Sequence, residues 1–276
     1  MFQLNENEMN IKFYTEPFDS IVWDVVQKAS AMNLKTILQE AVNNRNWENI
    51  DIIFQNITHQ MTFYSATYVV LPYMVNLLEQ TLEDGDVEHA HLLIFNLGIC
   101  LATDIPENHF EETKSPLLDD YNAAAQKLAG LTKHFYNTYI DEIQEMDEEQ
   151  RSMLFVATLA ILGERAAVYA ALEQLASGEL DEVNMACGGE CEYYEECYEP
   201  GEEQENGIVP MAEYESGKWD GKSYEDAFLW TSAIADMLGL KNQLDVLRYL
   251  YGTFTCPECG KPKKVIDFMV NYLTEE

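Results

Sequence analysis

Positive charge is scarce in this chain. Sixteen Lys plus Arg stand against 49 Asp plus Glu in 276 residues, a formal net charge of −33. Binding of nucleic acid through its phosphates needs clustered cations, so no nucleic-acid partner is expected. An anionic membrane surface is excluded on the same ground. No apolar run approaches the ~18 residues that a bilayer span takes. The opening stretch MFQLNENEMN has neither the basic start nor the apolar core of an export signal. The expectation is a soluble cytoplasmic protein with no membrane association.

Catalytic signatures are missing too. There is no G-x-G-x-x-G, P-loop, G-x-S-x-G or H-E-x-x-H. Histidines number 5. His89 and His91 are two apart, which on a helix sends them to nearly opposite sides and suits solvent or capping roles better than one metal. His59 precedes a helix start, and His109 and His134 are isolated. Carboxylates are so abundant that no Asp/Glu pair signals acid–base chemistry. Cys100 lies in an apolar helical stretch and reads as core. Trp23, Trp47 and Trp230 read as packing, and Trp219, in a polar stretch, as packing or a contact residue.

Helical periodicity, in contrast, is plentiful. Hydrophobic residues make up 47% of the chain, enough for a sizeable core. Tyr64, Thr67, Tyr68, Leu71, Met74, Val75 and Leu78 form one helical stripe, with a kink or break expected at Pro72. Residues 89–102 are apolar nearly all round, and 121–143 give another long helix. Residues 151–177 and 223–252 each read as two helices meeting at a glycine, Gly163 and Gly239. Ser223 and Asp226 mark a cap, and Leu97-Gly98 suggests a third such meeting point. Paired helices with small residues at the joints suggest a stacked array. The fold class expected is all-α, a helical repeat array spanning 1–276 as a single domain.

One segment breaks that pattern. Residues 181–215 hold twelve acidic residues, no Lys or Arg, several Gly and Pro, and three of the six cysteines. It reads as an acidic loop insert. A second irregular segment, 253–264, contains Cys256-Pro-Glu-Cys259-Gly260. Two cysteines separated by two residues can grip one ion from a tight turn. The proline fixes one backbone angle and Gly260 permits the positive φ that aims N–H groups at sulfur.

Zinc takes four tetrahedral ligands, and thiolates are common in its structural sites. Cys187-Gly-Gly-Glu-Cys191 is the preferred second half, and Cys197 is either free or a substitute ligand through the longer Cys191-x5-Cys197 spacing. Reduced thiols without metal and a disulfide or redox pair are the competing readings. Cys187, Cys191, Cys256 and Cys259 are therefore the expected metal ligands. Four sulfurs leave no open position, so the zinc would be structural. The neighbouring Glu190, Glu192, Glu195 and Glu196 disfavour a lone thiolate and attract a divalent cation.

Trp47-Glu-Asn-Ile, then His59-Gln60 followed by Tyr64-Ser65-Ala66-Thr67-Tyr68 and Pro72, resembles a group of bacterial HEAT-like helical repeat proteins. The likeness also takes in the Leu-Gly helix pairs and Gly252-x-x-x-Cys256-Pro-x-Cys259-Gly260, covering about 47–80, 151–177 and 223–260. Where the family pattern has Gly after His-Gln, this chain has Met61. The resemblance implies an α-solenoid scaffold and, for some relatives, an immunity role against toxins; it brings no catalytic residues.

The function expected is a non-enzymatic protein-binding scaffold, an acidic inhibitor, immunity protein or adaptor for a basic partner protein. The alternative is a metal-dependent hydrolase with carboxylates and His59 lining a groove.

Overall fold

The computed structural model describes residues 1–105, 117–180, 182–198 and 207–274. His109, Asp181 and the part of the acidic segment at 199–206 lie outside them. Among the described residues helix dominates, with four short strands in two hairpins. The chain groups into two compact units. The first comprises Met1–Glu142 with Ala160–Arg165, and the second Ile143–Leu159 with Ala166–Glu276. No helix among the described residues is long and apolar enough to cross a membrane.

The first unit opens with two single-turn helices, α1 (Glu6–Met9) and α2 (Val22–Val25). Then follow α3 (Leu34–Asn44), α4 (Ile50–Ile57), α5 (Thr67–Glu83), α6 (Val87–Ala102) and most of α7 (Leu117–Glu145). Asn33 caps α3 by accepting the Thr36 N–H, and Asp86 caps α6 by accepting the His89 N–H. Helix α5 is buried on almost every side and packs against α3 and α6, while α4 packs on α3 and α6. The helix runs unbroken through Pro72, so the break expected there does not occur. Leu97-Gly98 is likewise not a joint: both residues are buried inside α6. The turn between α5 and α6 is Asp84-Gly85-Asp86, where Gly85 takes φ 72°.

The first unit is tied together by partly buried ion pairs and side-chain clamps. Asn137 on α7 accepts the Phe2 N–H at 3.0 Å and donates to the Phe2 carbonyl at 2.8 Å. Lys133, also on α7, pairs with Glu8 at 2.9 Å. Helix α8 (Glu148–Leu162) begins in the second unit, and its end carries the chain back into the first. There Arg165 meets Asp104 at 2.5 Å, and the buried Tyr121 donates its hydroxyl to the same carboxylate oxygen at 2.8 Å.

The second unit contains the start of α8, then α9 (Arg165–Ala170) after its first residue, and α10 (Leu172–Ser177). It continues with β1 (Val183–Ala186), β2 (Tyr194–Tyr198), α11 (Ala227–Met237), α12 (Lys241–Leu250), β3 (Thr253–Thr255), β4 (Pro262–Lys264) and α13 (Val265–Thr274). The expected joints at Gly163 and Gly239 are both turns of positive φ, 136° and 70°. Asp226 alone caps α11, accepting from the Leu229 N–H; the Ser223 carbonyl instead accepts the Trp219 indole N–H. Helix α12 packs on α10, α11 and α13, and Gln243 of α12 donates to Ser152 of α8 at 2.7 Å.

The acidic segment is more structured than a loop. β1 pairs antiparallel with β2, and α13 packs against β1. Val183 and Met185 alternate with exposed Asn184, so one edge of the acidic hairpin is buried. Tyr193 is buried as well. The second hairpin, β3 with β4, pairs Phe254 with Lys263 and Thr255 with Pro262.

Candidate metal centre

Both hairpins carry cysteines, and the structure brings four of them together. Cys187 and Cys191 bracket the turn between β1 and β2, where Gly188 and Gly189 take φ 75° and 73°. Cys256 and Cys259 sit in the turn between β3 and β4. There the Gly260 N–H donates to the Cys256 carbonyl at 2.9 Å and Gly260 has φ 69°. The sulfurs pair crosswise, Cys187 with Cys259 at 3.7 Å and Cys191 with Cys256 at 3.6 Å. All four lie within 4.8 Å of one another. A tetrahedron of sulfurs at a zinc–sulfur distance of ~2.3 Å has edges of ~3.8 Å. The donor set and its spacing therefore fit one tetrahedral ion such as zinc.

The surroundings are aromatic beneath and acidic above. Phe254 and Phe268 meet edge to face at 5.1 Å, and Tyr193 packs on both. On this floor Cys187 and Cys256 are each only 1% exposed. Cys259 is exposed, as are Glu190, Glu192 and Glu258. Burial pushes the Cys187 thiol up to about 12. The Lys261 backbone N–H, donating to sulfur, brings Cys259 down to about 7. Thiolates packed this closely repel one another; a divalent cation would offset that repulsion and take the place of protons on sulfur.

Of the sulfurs weighed for the second half, Cys187 and Cys191 lie in the cluster and Cys197 does not. Cys197 is exposed on β2 at φ 55°, its N–H bonded to Asn184 Oδ1 at 2.9 Å, and is not part of the four-sulfur cluster. Cys100 is fully buried in α6, and its thiol is pushed far up by desolvation. Among the described residues the four cysteines are the one group of three or more His, Cys, Asp or Glu side chains arranged to hold a metal.

The histidines among the described residues do not converge on a metal-holding group. His89 stacks on Trp47 at 4.1 Å and bonds through Nδ1 to Asp86 at 2.7 Å, a capping arrangement in the first turn of α6. His59 is exposed in a tight turn closed by the Thr62 N–H on the His59 carbonyl. In that turn Gln60 and Met61 both adopt left-handed backbone, φ 51° and 60°. The residues that follow serve packing. Ser65 accepts the Gln27 N–H at 2.8 Å, Ala66 is buried, and Tyr68 meets Tyr121 edge to face. A cleft of about 300 Å³ in the first unit is lined by Trp23, Lys28, Met32 and Lys35 among others, with no histidine in its wall.

Comparison of the chain with protein-family models, with curated proteins and with solved structures returned no match. The centre therefore has to be interpreted from its own chemistry.

Proposed function

We propose that Cys187, Cys191, Cys256 and Cys259 hold a structural zinc ion, and that the protein is a non-enzymatic binding module for a basic protein partner. The observation that carries the metal reading is the crosswise pair of sulfur contacts at 3.7 and 3.6 Å, close to a tetrahedral edge. Four protein sulfurs fill the coordination sphere, so this metal would have no position for substrate. Its role is to fasten the acidic hairpin to the β3–β4 hairpin. In this reading the helix pairs form a HEAT-like scaffold. The net charge of −33 draws in a basic partner, an interaction that weakens with salt. A hydrolase reading draws no comparable support: His59 lies outside the four-cysteine cluster, the one metal-holding group among the described residues.

Elemental analysis of protein purified without chelator tests the metal: one zinc per chain is expected, and metal-free protein that also ignores added zinc refutes it. Capture of basic proteins at low and at high salt tests the partner. Failure to retain any basic protein at low ionic strength removes the binding-module reading while leaving the zinc intact.

A further inference from the structure

Cationic residues are few, yet Lys261, Lys263 and Lys264 follow the second cysteine pair within five residues. Their side chains do different things. The Lys264 ammonium lies over the Tyr251 ring at 5.5 Å. The Lys263 ammonium crosses from β4 to the other hairpin and donates to the carbonyl of Cys187. It also lies 5.7 Å from the centre of the buried Phe268 ring. The same carbonyl accepts a second hydrogen bond, from Asn271 Nδ2 of α13 at 3.0 Å. The Cys187 N–H is engaged too, donating to the Tyr193 carbonyl at 3.0 Å. The backbone of this buried ligand is thus held on both sides by groups other than its own sulfur.

Gly188 makes this clamp sterically feasible. A Cβ added there would stand 2.9 Å from Asn271 Cγ and 3.0 Å from its Nδ2. With φ at 75°, the position is also one that L side chains rarely adopt. Glycine next to the ligand lets α13 come close enough for Asn271 to reach the carbonyl.

We infer that Lys263 and Asn271 are positioning residues for the metal centre: they dock the Cys187 turn onto β4 and α13 before the ion arrives. Lys263 in addition supplies the positive charge that a four-thiolate centre needs among Glu190, Glu192 and Glu258. This rests on the zinc reading above. Outer groups that orient ligands commonly contribute 10–100-fold to metal affinity. Lys263 acts through both geometry and charge, and Asn271 through geometry alone. The charge component is screened by salt and the geometric one is not.

The test is a competition titration of Zn²⁺ against a chromophoric chelator, at low and at roughly 0.5 M salt, where exposed charges are strongly screened. Lys263→Met is expected to bind Zn²⁺ about 10–100-fold more weakly at low salt, with the deficit shrinking at high salt. Asn271→Ala is expected to lose about tenfold at both salts. Lys263→Arg should recover most of the loss, and Lys264→Met, whose cation sits elsewhere, should match the parent protein. Loading with Co²⁺ should give the parent's thiolate-to-metal absorption band in every variant, which separates weaker binding from a misfolded site. Lys263→Met and Asn271→Ala binding Zn²⁺ within twofold of the parent overturns the inference alone. A parent that binds no Zn²⁺ overturns the zinc reading and this inference together.

Discussion

Replacing Cys256 with alanine should release the metal and loosen the two ligand turns without unfolding the acidic hairpin. The sulfur of Cys256 is buried and lies 3.6 Å from that of Cys191, so its loss leaves three sulfurs and a gap in the coordination shell. The ligand pairs are 65 and 72 residues apart, so the ion closes a long stretch of chain. A structural zinc yields ~10–16 kcal/mol of apparent binding free energy in small peptides that have no other fold. Here much of the fold is independent of metal. Val183 and Met185 are buried on the hairpin, each contributing ~1.5–3 kcal/mol, and Tyr193 is buried beside them. The net effect on the folded unit follows the ratio of free zinc to dissociation constant. It amounts to ~3–4 kcal/mol when zinc exceeds that constant 100- to 1,000-fold. Hydrogen exchange read peptide by peptide is the right assay, because a chain of two compact units need not unfold in one step. Faster exchange is expected at 187–193 and 256–261, with α13 and β1 little changed; the same pattern should follow chelation of the parent. Cys197→Ala, on the same hairpin but outside the cluster, serves as the control. Unchanged exchange in Cys256→Ala, or an equal change in Cys197→Ala, would refute the staple.

Three further outcomes are expected. Zinc affinity should rise with pH from 6 to 8 with proton release. The Cys187 thiol, raised to about 12, is protonated in the metal-free protein, and Cys259, at about 7, changes state within that window. Calorimetry in buffers of different ionisation enthalpy counts the protons, and none released would contradict the argument. Asp104→Ala should destabilise the first unit by ~2 kcal/mol, since it removes the charge-assisted bond to the half-buried Arg165 and strands the buried Tyr121 hydroxyl, whereas Tyr121→Phe should cost ~1 kcal/mol. Denaturant melts that rank the two equally would argue against a stabilising Arg165–Asp104 pair. Met61→Gly should stabilise by up to ~1 kcal/mol, because left-handed backbone costs a non-glycine residue ~1–2 kcal/mol while glycine returns ~0.5–1 kcal/mol of that as chain entropy. A lower melting point in that variant would show that the Met61 side chain matters more than its backbone strain.

Much of the centre was legible because its chemistry is local. Cys256-Pro-Glu-Cys259-Gly260 carries both the ligands and the turn that aims them, and Gly188-Gly189 signals a second turn between Cys187 and Cys191. The helix joints at Gly163 and Gly239 were readable because glycine follows an apolar stripe at each. The same Leu-Gly signal misled at Gly98, where a glycine is packed inside a continuous helix and the real turn is at Gly85. The β1–β2 hairpin was hidden by composition: β2 is Tyr-Glu-Glu-Cys-Tyr, almost wholly exposed, and only β1 shows a buried face. Lys263 could not be found from sequence at all. Its partner is a backbone carbonyl 76 residues away, and carbonyls are the same for every residue.

The return of residues 160–165 to the first unit has a practical consequence for anyone dissecting the protein. A fragment cut after Glu142 would keep Asp104 and Tyr121 and lose the Arg165 guanidinium that pairs with the half-buried carboxylate. A fragment carried on to Arg165 would keep that pair but also take away the Ile143–Leu159 stretch that belongs to the second unit. No single scission separates the halves cleanly. Expression trials on isolated halves therefore call for an internal deletion with a short bridging linker, or for co-expression of complementary pieces.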